Sequence, residues 1–197
     1  MRKDYEIILK LIPESSKVLD IGCSDGELIS YLESKGVSAQ GVELNQEKVI
    51  KCLEKGLDVI HGDINLIVED FPFNQFDYCL LTQTIQAVQK PDKLLNTLKK
   101  VSKNIIVSFN NSARLSKISN FLLSGSFDSL LKKADSDHWY NTDYIHPCSI
   151  KDFKKLAENL DLKIISTFDV INQRKFENGK IPSNLFCKEV LFHITDE

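Results

Sequence analysis

The sequence is poor in specialised chemistry. It has one methionine, one tryptophan and five cysteines, an odd number with no two in CxxC spacing. That number and spacing speak against both a zinc site and disulfides. Three of the cysteines lie in apolar runs and read as small buried hydrophobes. The four histidines are too scattered for a metal site. An excess of positive charge is also missing: 25 basic residues face 28 acidic ones, for a net charge of −3. That is not the footprint of a nucleic-acid binder. Lysines cluster at Lys99, Lys100 and Lys103 and at Lys151, Lys154 and Lys155, on predicted helices, where they read as solvated faces. No apolar run approaches the length of a membrane span. The opening MRKDYEIILKLIPESSK is too short in its apolar part and too charged for a signal peptide, so a cytoplasmic location is expected. Repeats, linkers and low-complexity tracts are absent. The 197 residues suit one domain, 1–197, which buries roughly 70% of its unfolded surface without a staple.

What is present is an alternation. Val18–Ile21 is an apolar run ending in a glycine turn, the mark of a buried parallel strand. A helix over 26–35 follows, then a strand over 37–44 and a helix capped by Asn45 that is expected to bury Val49, Ile50 and Leu53. Strands are predicted over 57–61, 76–81 and 104–109, with a helix opened by Pro91 before the last of these. Residues 110–148 contain one predicted helix, 113–123, and a polar and aromatic stretch, read together as a lid or insertion. Ser149 with Asp152 forms a capping pattern for a further helix. Strands near 162–171 and 185–194 close the sheet. The expected fold is α/β and Rossmann-like: about seven strands, mostly parallel with one antiparallel return strand, and helices on both faces. Ligands of such sheets bind outside the carboxyl ends of the strands.

Three motifs sit at those ends. In KVLDIGCSDGEL a strand ends at Asp20, and Gly22, Cys23 and Gly26 form the turn into a helix. A dinucleotide loop needs G-x-G-x-x-G for its pyrophosphate. Here Ser24 and Glu27 replace the second and third glycines, and a carboxylate stands just before the turn. That suits a cationic ligand without phosphate, and S-adenosylmethionine has an ammonium and a sulfonium for Asp20 to favour. In GVELN, Glu43 ends the second strand and is placed to accept from ribose hydroxyls, with Leu44 beside it. In HGDIN, Asp63 ends the third, placed for the adenine amino group, with Ile64 against the ring. Gln83 and Gln86 follow the fourth strand, and Gln83 is expected to line the cofactor pocket. His138, Trp139, Tyr140, Tyr144 and His146 form either a packed aromatic cover or an acceptor pocket. No D/N-P-P-Y/F motif follows the fourth strand, and Pro147-Cys148 comes after the fifth, so methylation of DNA bases is unsupported.

The ordered acids Asp20, Glu43 and Asp63 resemble those of class I S-adenosylmethionine-dependent methyltransferases, with Ser24 where a glycine is common. A serine there has to enter the left-handed region at a cost of about 1–2 kcal/mol. Over most of the chain, LDIGCSDGEL, FDYCLLTQTIQAVQKP, NIIVSF and WYNTDYIHPCSIKDF occur in the order of the MetW family, which the sequence resembles more specifically. FNNSARL stands where that family tends to have a Pro and a Gly-His-Trp run. The resemblance implies a place in methionine biosynthesis, S-adenosylmethionine as ligand and homoserine O-acyltransferase as partner. The residues leave two alternatives open: a methyltransferase acting on a small molecule, and a module with the fold but no cofactor.

Overall fold

A computed structural model describes residues 1–128 and 146–196. Along the chain these form α1 (Lys3–Leu11), β1 (Lys17–Ile21), α2 (Glu27–Ser34), β2 (Ser38–Glu43), α3 (Gln46–Glu54), β3 (Val59–His61), α4 (Ile64–Ile67), β4 (Phe76–Thr82), α5 (Pro91–Val101), β5 (Ser102–Asn110), α6 (Leu115–Ser124), α7 (Ile150–Asn159), β6 (Lys163–Asp169), β7 (Arg174–Glu177) and β8 (Glu189–Thr195). The strands make one sheet in the order β3-β2-β1-β4-β5-β8-β6-β7. β1 pairs in parallel with both β2 and β4, so the order reverses between them. β8 runs antiparallel between β5 and β6, and β7 antiparallel to β6.

The expected α/β sheet is present, with one strand more than expected. β7, a short hairpin arm exposed apart from half-buried Phe176, carries no apolar alternation to announce it. The return strand begins at Glu189 rather than 185, because Leu185 and Phe186 lie exposed before it. α1 is a second addition.

Both faces of the sheet are covered. On one, Val18, Leu80, Ile106 and Leu191 pack under Tyr5 and Ile8 of α1, Leu28 and Leu32 of α2 and Val49 and Cys52 of α3. On the other, Leu19, Leu81, Val107 and Phe192 pack under α4, α5 and α7. Phe109, Phe153 and Phe192 meet there with ring centroids 4.6–6.0 Å apart. Strand alternation separates the two faces, since neighbouring residues point in opposite directions.

The caps follow the sequence. The Asn45 side chain accepts from the Lys48 amide at 3.2 Å, and Ser149 and Asp152 satisfy each other's amides at 3.1 Å. One expectation fails on α3: Val49 is buried, but Ile50 and Leu53 are exposed. The buried partner of Val49 is Cys52, three residues on and on the same face. Ile50 and Leu53 stand about 100° further round, given 3.6 residues per turn.

Candidate functional site

The strand order reverses between β1 and β4, and α/β sheets bind ligands at the carboxyl ends beside such a reversal. A groove lined by Lys103, Asn104, Ile164 and Thr195 lies at the opposite end of the sheet. Four elements build the site at the carboxyl ends.

The first is the turn after β1. Gly22 and Gly26 have φ of +74° and +75°. Ser24 sits at +54°, the left-handed conformation expected of it. The amides in this turn point inward. Those of Gly22 and Cys23 donate to the Val42 carbonyl at 2.8 and 3.2 Å, and that of Ser24 to Glu43 Oε2 at 2.8 Å. A phosphate cradle needs such N–H groups free. This turn spends them on β2. The Cys23 thiol is buried, which pushes its pKa up and keeps it inert.

The second is Asp20, at 1% exposure. Its Oδ1 is buried without a hydrogen-bond partner. Burial pushes its pKa up to about 7; the Arg2 charge opposes this and the Asp4 and Glu43 charges add to it. An unpaired buried carboxyl is costly unless protonated or met by a ligand.

The third is the pair of acids on β2 and after β3. Glu43 is buried, and its two oxygens accept from the Ser24 and Asn45 amides, both at 2.8 Å. Asp63 is half-buried and caps α4, with Oδ1 accepting from the Asn65 amide and side chain at 2.9 and 2.6 Å. Leu44 is 65% exposed, whereas Ile64 is buried in the core. Leu44 therefore offers the apolar surface at this edge.

The fourth was not legible from local spacing. Val18, Ile106 and Leu191 face α1, and so do Asp20, Ser108 and Glu189, each two residues away on its strand. Buried Asp4 accepts from Ser108 Oγ at 3.0 Å and from Arg2 Nε and Nη2 at 3.1 and 2.5 Å. Arg2 Nη1 donates to the Tyr5 hydroxyl at 3.1 Å. Gln83 donates to Glu189 Oε1 at 2.9 Å and accepts from Asn110 at 2.8 Å. Gln83 thus sits at the tips of β4, β5 and β8. Burial and the Asp4 charge push the Glu189 carboxyl up to about 7, against Arg2 and Gln83. One signal could have found this side: Asp4 and Ile8, four residues apart, share the buried stripe of α1.

Gln86 is buried, and its backbone carbonyl accepts the His146 amide at 3.0 Å. His138, Trp139, Tyr140 and Tyr144 lie outside the described residues. Among the described residues no cluster of His, Cys, Asp and Glu is arranged for a metal, and no helix is long and apolar enough to cross a membrane.

The model of the family described as methionine biosynthesis protein MetW matches residues 2–194. The chain belongs to the MetW family. A bifunctional methionine biosynthesis protein MetXA/MetW of Rhodopirellula baltica is 31% identical over 202 residues, covering 96% of this chain and 32% of that protein. The MetW-family chain thus spans about a third of its relative. A S-adenosylmethionine-dependent methyltransferase of Mesorhizobium loti superimposes with TM-score 0.69 at 12% identity, over 98% of this chain and 97% of that one. The [4+2]-cyclase SpnF superimposes with TM-score 0.68, also at 12% identity, over 98% and 80%. At such identity the likeness concerns the fold, and the fold alone does not fix a reaction. The MetW chain has the methyltransferase-like α/β fold.

Proposed function

We propose that this MetW-family chain binds S-adenosylmethionine at the carboxyl ends of β1, β2 and β3, and acts in methionine biosynthesis with homoserine O-acyltransferase. One observation carries the ligand: a fully buried carboxyl, Asp20, with an unpartnered oxygen, beside a turn whose Gly22, Cys23 and Ser24 amides are spent. A cation without phosphate answers both. S-adenosylmethionine supplies a sulfonium and an ammonium when bound.

The chain's residues divide the work. Asp20 favours the charged end of the ligand. Gly22, Cys23 and Gly26 bring backbone close to it in a turn whose glycines pack on Thr84, Leu57 and Cys52. Glu43 meets the ribose hydroxyls with the lone pairs its two amides leave over, since each carboxylate oxygen has two. Asp63 holds the adenine amino group through Oδ2, and Leu44 covers the ring. Ile64 supports Leu44's side of the crevice from the core, and Gln83 closes the far wall.

The partnership is supported by the Rhodopirellula baltica relative, whose name joins MetXA and MetW in one chain. With the cofactor site on one member, ligand binding reports on the pathway's product wherever the two states of the complex bind it differently. Co-purification with homoserine O-acyltransferase, then acyl transfer assayed with and without this chain and S-adenosylmethionine, tests it. Equal acyltransferase rates in every combination would refute the regulatory role.

A second reading is methyl transfer to a small molecule. It is favoured by the half-buried carboxyl of Glu189 at the start of β8, held by Gln83. Methyl transfer needs chiefly in-line positioning. Incorporation of labelled methyl into a cell extract distinguishes it.

A further inference from the structure

α6 is an amphipathic helix whose apolar side is not buried. Leu115, Ile118 and Leu122 stand at i, i+3 and i+7, the spacing of one stripe. Such a stripe is ordinarily turned into a core, yet no residue of α6 is buried. Leu115, Leu122 and Leu123 are exposed, and so is Phe127 beyond the helix, its ring 5.1 Å from that of Phe121. The patch continues onto the segment before β8. The Leu115 amide donates to the Leu185 carbonyl at 2.7 Å, and Leu185 and Phe186 are exposed beside it, Phe186 at 73%. The helix is held firmly at its foot. Buried Asn111 donates from Nδ2 to the Asn184 and Cys187 carbonyls at 2.7 and 2.9 Å, and its amide donates to the Lys188 carbonyl at 3.0 Å.

Exposed apolar surface that is contiguous across two segments marks a protein contact. A fixed stem presenting an unburied apolar stripe has the form of a helix that lies in a partner's groove, anchored at i, i+3 and i+7. Charge narrows the partner. Residues 111–127 and 183–188 carry three cations, Arg114, Lys117 and Lys188, and no acid, in a chain whose net charge is −3. Interfaces are apolar at the centre and polar at the rim, with opposite charges facing across them. The surface that fits α6 is therefore apolar and edged by carboxylates. We propose that α6, with Leu185 and Phe186, is the face on which homoserine O-acyltransferase docks, through an apolar groove with an acidic rim. This rests on the partnership proposed above and gives it a surface. α6 follows the carboxyl end of β5, so the docked partner stands at the same end of the sheet as Asp20.

Calorimetry and sedimentation of the full chain with purified homoserine O-acyltransferase from the same genome test it. The variants are Leu122→Glu, Leu122→Lys and Phe186→Glu, with Leu53→Glu, at an exposed leucine of α3, as control. Wild type and Leu53→Glu are expected to bind the acyltransferase alike. Leu122→Glu and Phe186→Glu should weaken binding about tenfold or more, the scale of one anchoring side chain. Leu122→Lys should weaken it less than Leu122→Glu, because an acidic rim repels only the latter; an equal or greater loss from lysine overturns the acid-rimmed partner. Binding kept in full by Leu122→Glu and Phe186→Glu overturns the docking face and leaves the partnership standing. No binding by wild type refutes the partnership, and the docking face with it. Melting curves and the mass of the chain alone test two other occupants. A fall in melting temperature in Leu122→Glu that Leu53→Glu lacks means that another part of this chain covers the face. A wild-type dimer split by Leu122→Glu means that a second copy does. Either result overturns the proposal.

Discussion

Glu43 accepts the Ser24 amide at 2.8 Å, tying the end of β2 to the turn that follows β1. Its other oxygen holds the Asn45 amide. Glu43→Ala strands two backbone donors, each worth about 1–3 kcal/mol when buried and unsatisfied. The expected loss is about 2–4 kcal/mol in urea denaturation, with Glu43→Gln losing about half of that because one acceptor oxygen remains.

Ser24 tests the turn from the opposite direction. At φ +54° it is strained by about 1–2 kcal/mol. Glycine relieves this but adds unfolded-state entropy of about 0.5–1 kcal/mol. Ser24→Gly should therefore stabilise by about 0.5–1 kcal/mol and keep ligand affinity, both readable from a thermal shift with and without S-adenosylmethionine.

Gly22 should tolerate no side chain. A Cβ there would lie 2.7 Å from Thr84 Oγ1, which donates to the Ile21 carbonyl at 3.0 Å. Gly22→Ala combines that clash with a φ of +74°. The expected cost exceeds 1–2 kcal/mol, roughly the φ penalty alone. Adding Thr84→Ala should recover the clash part only. A double-mutant cycle in urea with no coupling between the two would contradict the contact.

Asp20 and Glu189 set the pH dependence. Both carboxyls are pushed up to about 7 in the folded chain, from 3.8 and 4.5. The folded state therefore holds protons that the unfolded state has lost, and stability falls as pH rises from about 4 through 7. Asp20→Asn should flatten this fall and be more stable than wild type at pH 8 without ligand. A cation bound at Asp20 drives its proton off, so affinity should rise through pH 7, and the binding enthalpy should vary with the ionisation enthalpy of the buffer.

Much of the frame is legible in the sequence because its signals are local. Val18–Ile21 is an apolar run, Gly22 and Gly26 punctuate it, and Asn45 and Ser149 cap helices through their own side chains. The acids are legible by the same token: Glu43 ends β2, Asp63 caps the helix after β3, and Asp20 stands one residue before the end of β1. The second half of the crevice is not. Arg2, Asp4 and Ser108 meet only because sheet alternation and the path of α1 bring them together. α3 shows the limit of a hydrophobic reading: Ile50 and Leu53 are as apolar as Val49, yet a helix with one side on the sheet buries Val49 and Cys52 and leaves them in solvent. β7 is invisible because an edge arm with a solvated face needs no apolar pattern.

Titration calorimetry of S-adenosylmethionine into wild type and Asp20→Asn at pH 8 addresses the central claim most directly. The account predicts saturable binding at one site per wild-type chain, weakened about tenfold or more by Asp20→Asn even though that variant is the more stable fold. Binding of equal affinity to both proteins, or no heat from wild type at millimolar ligand, would contradict it.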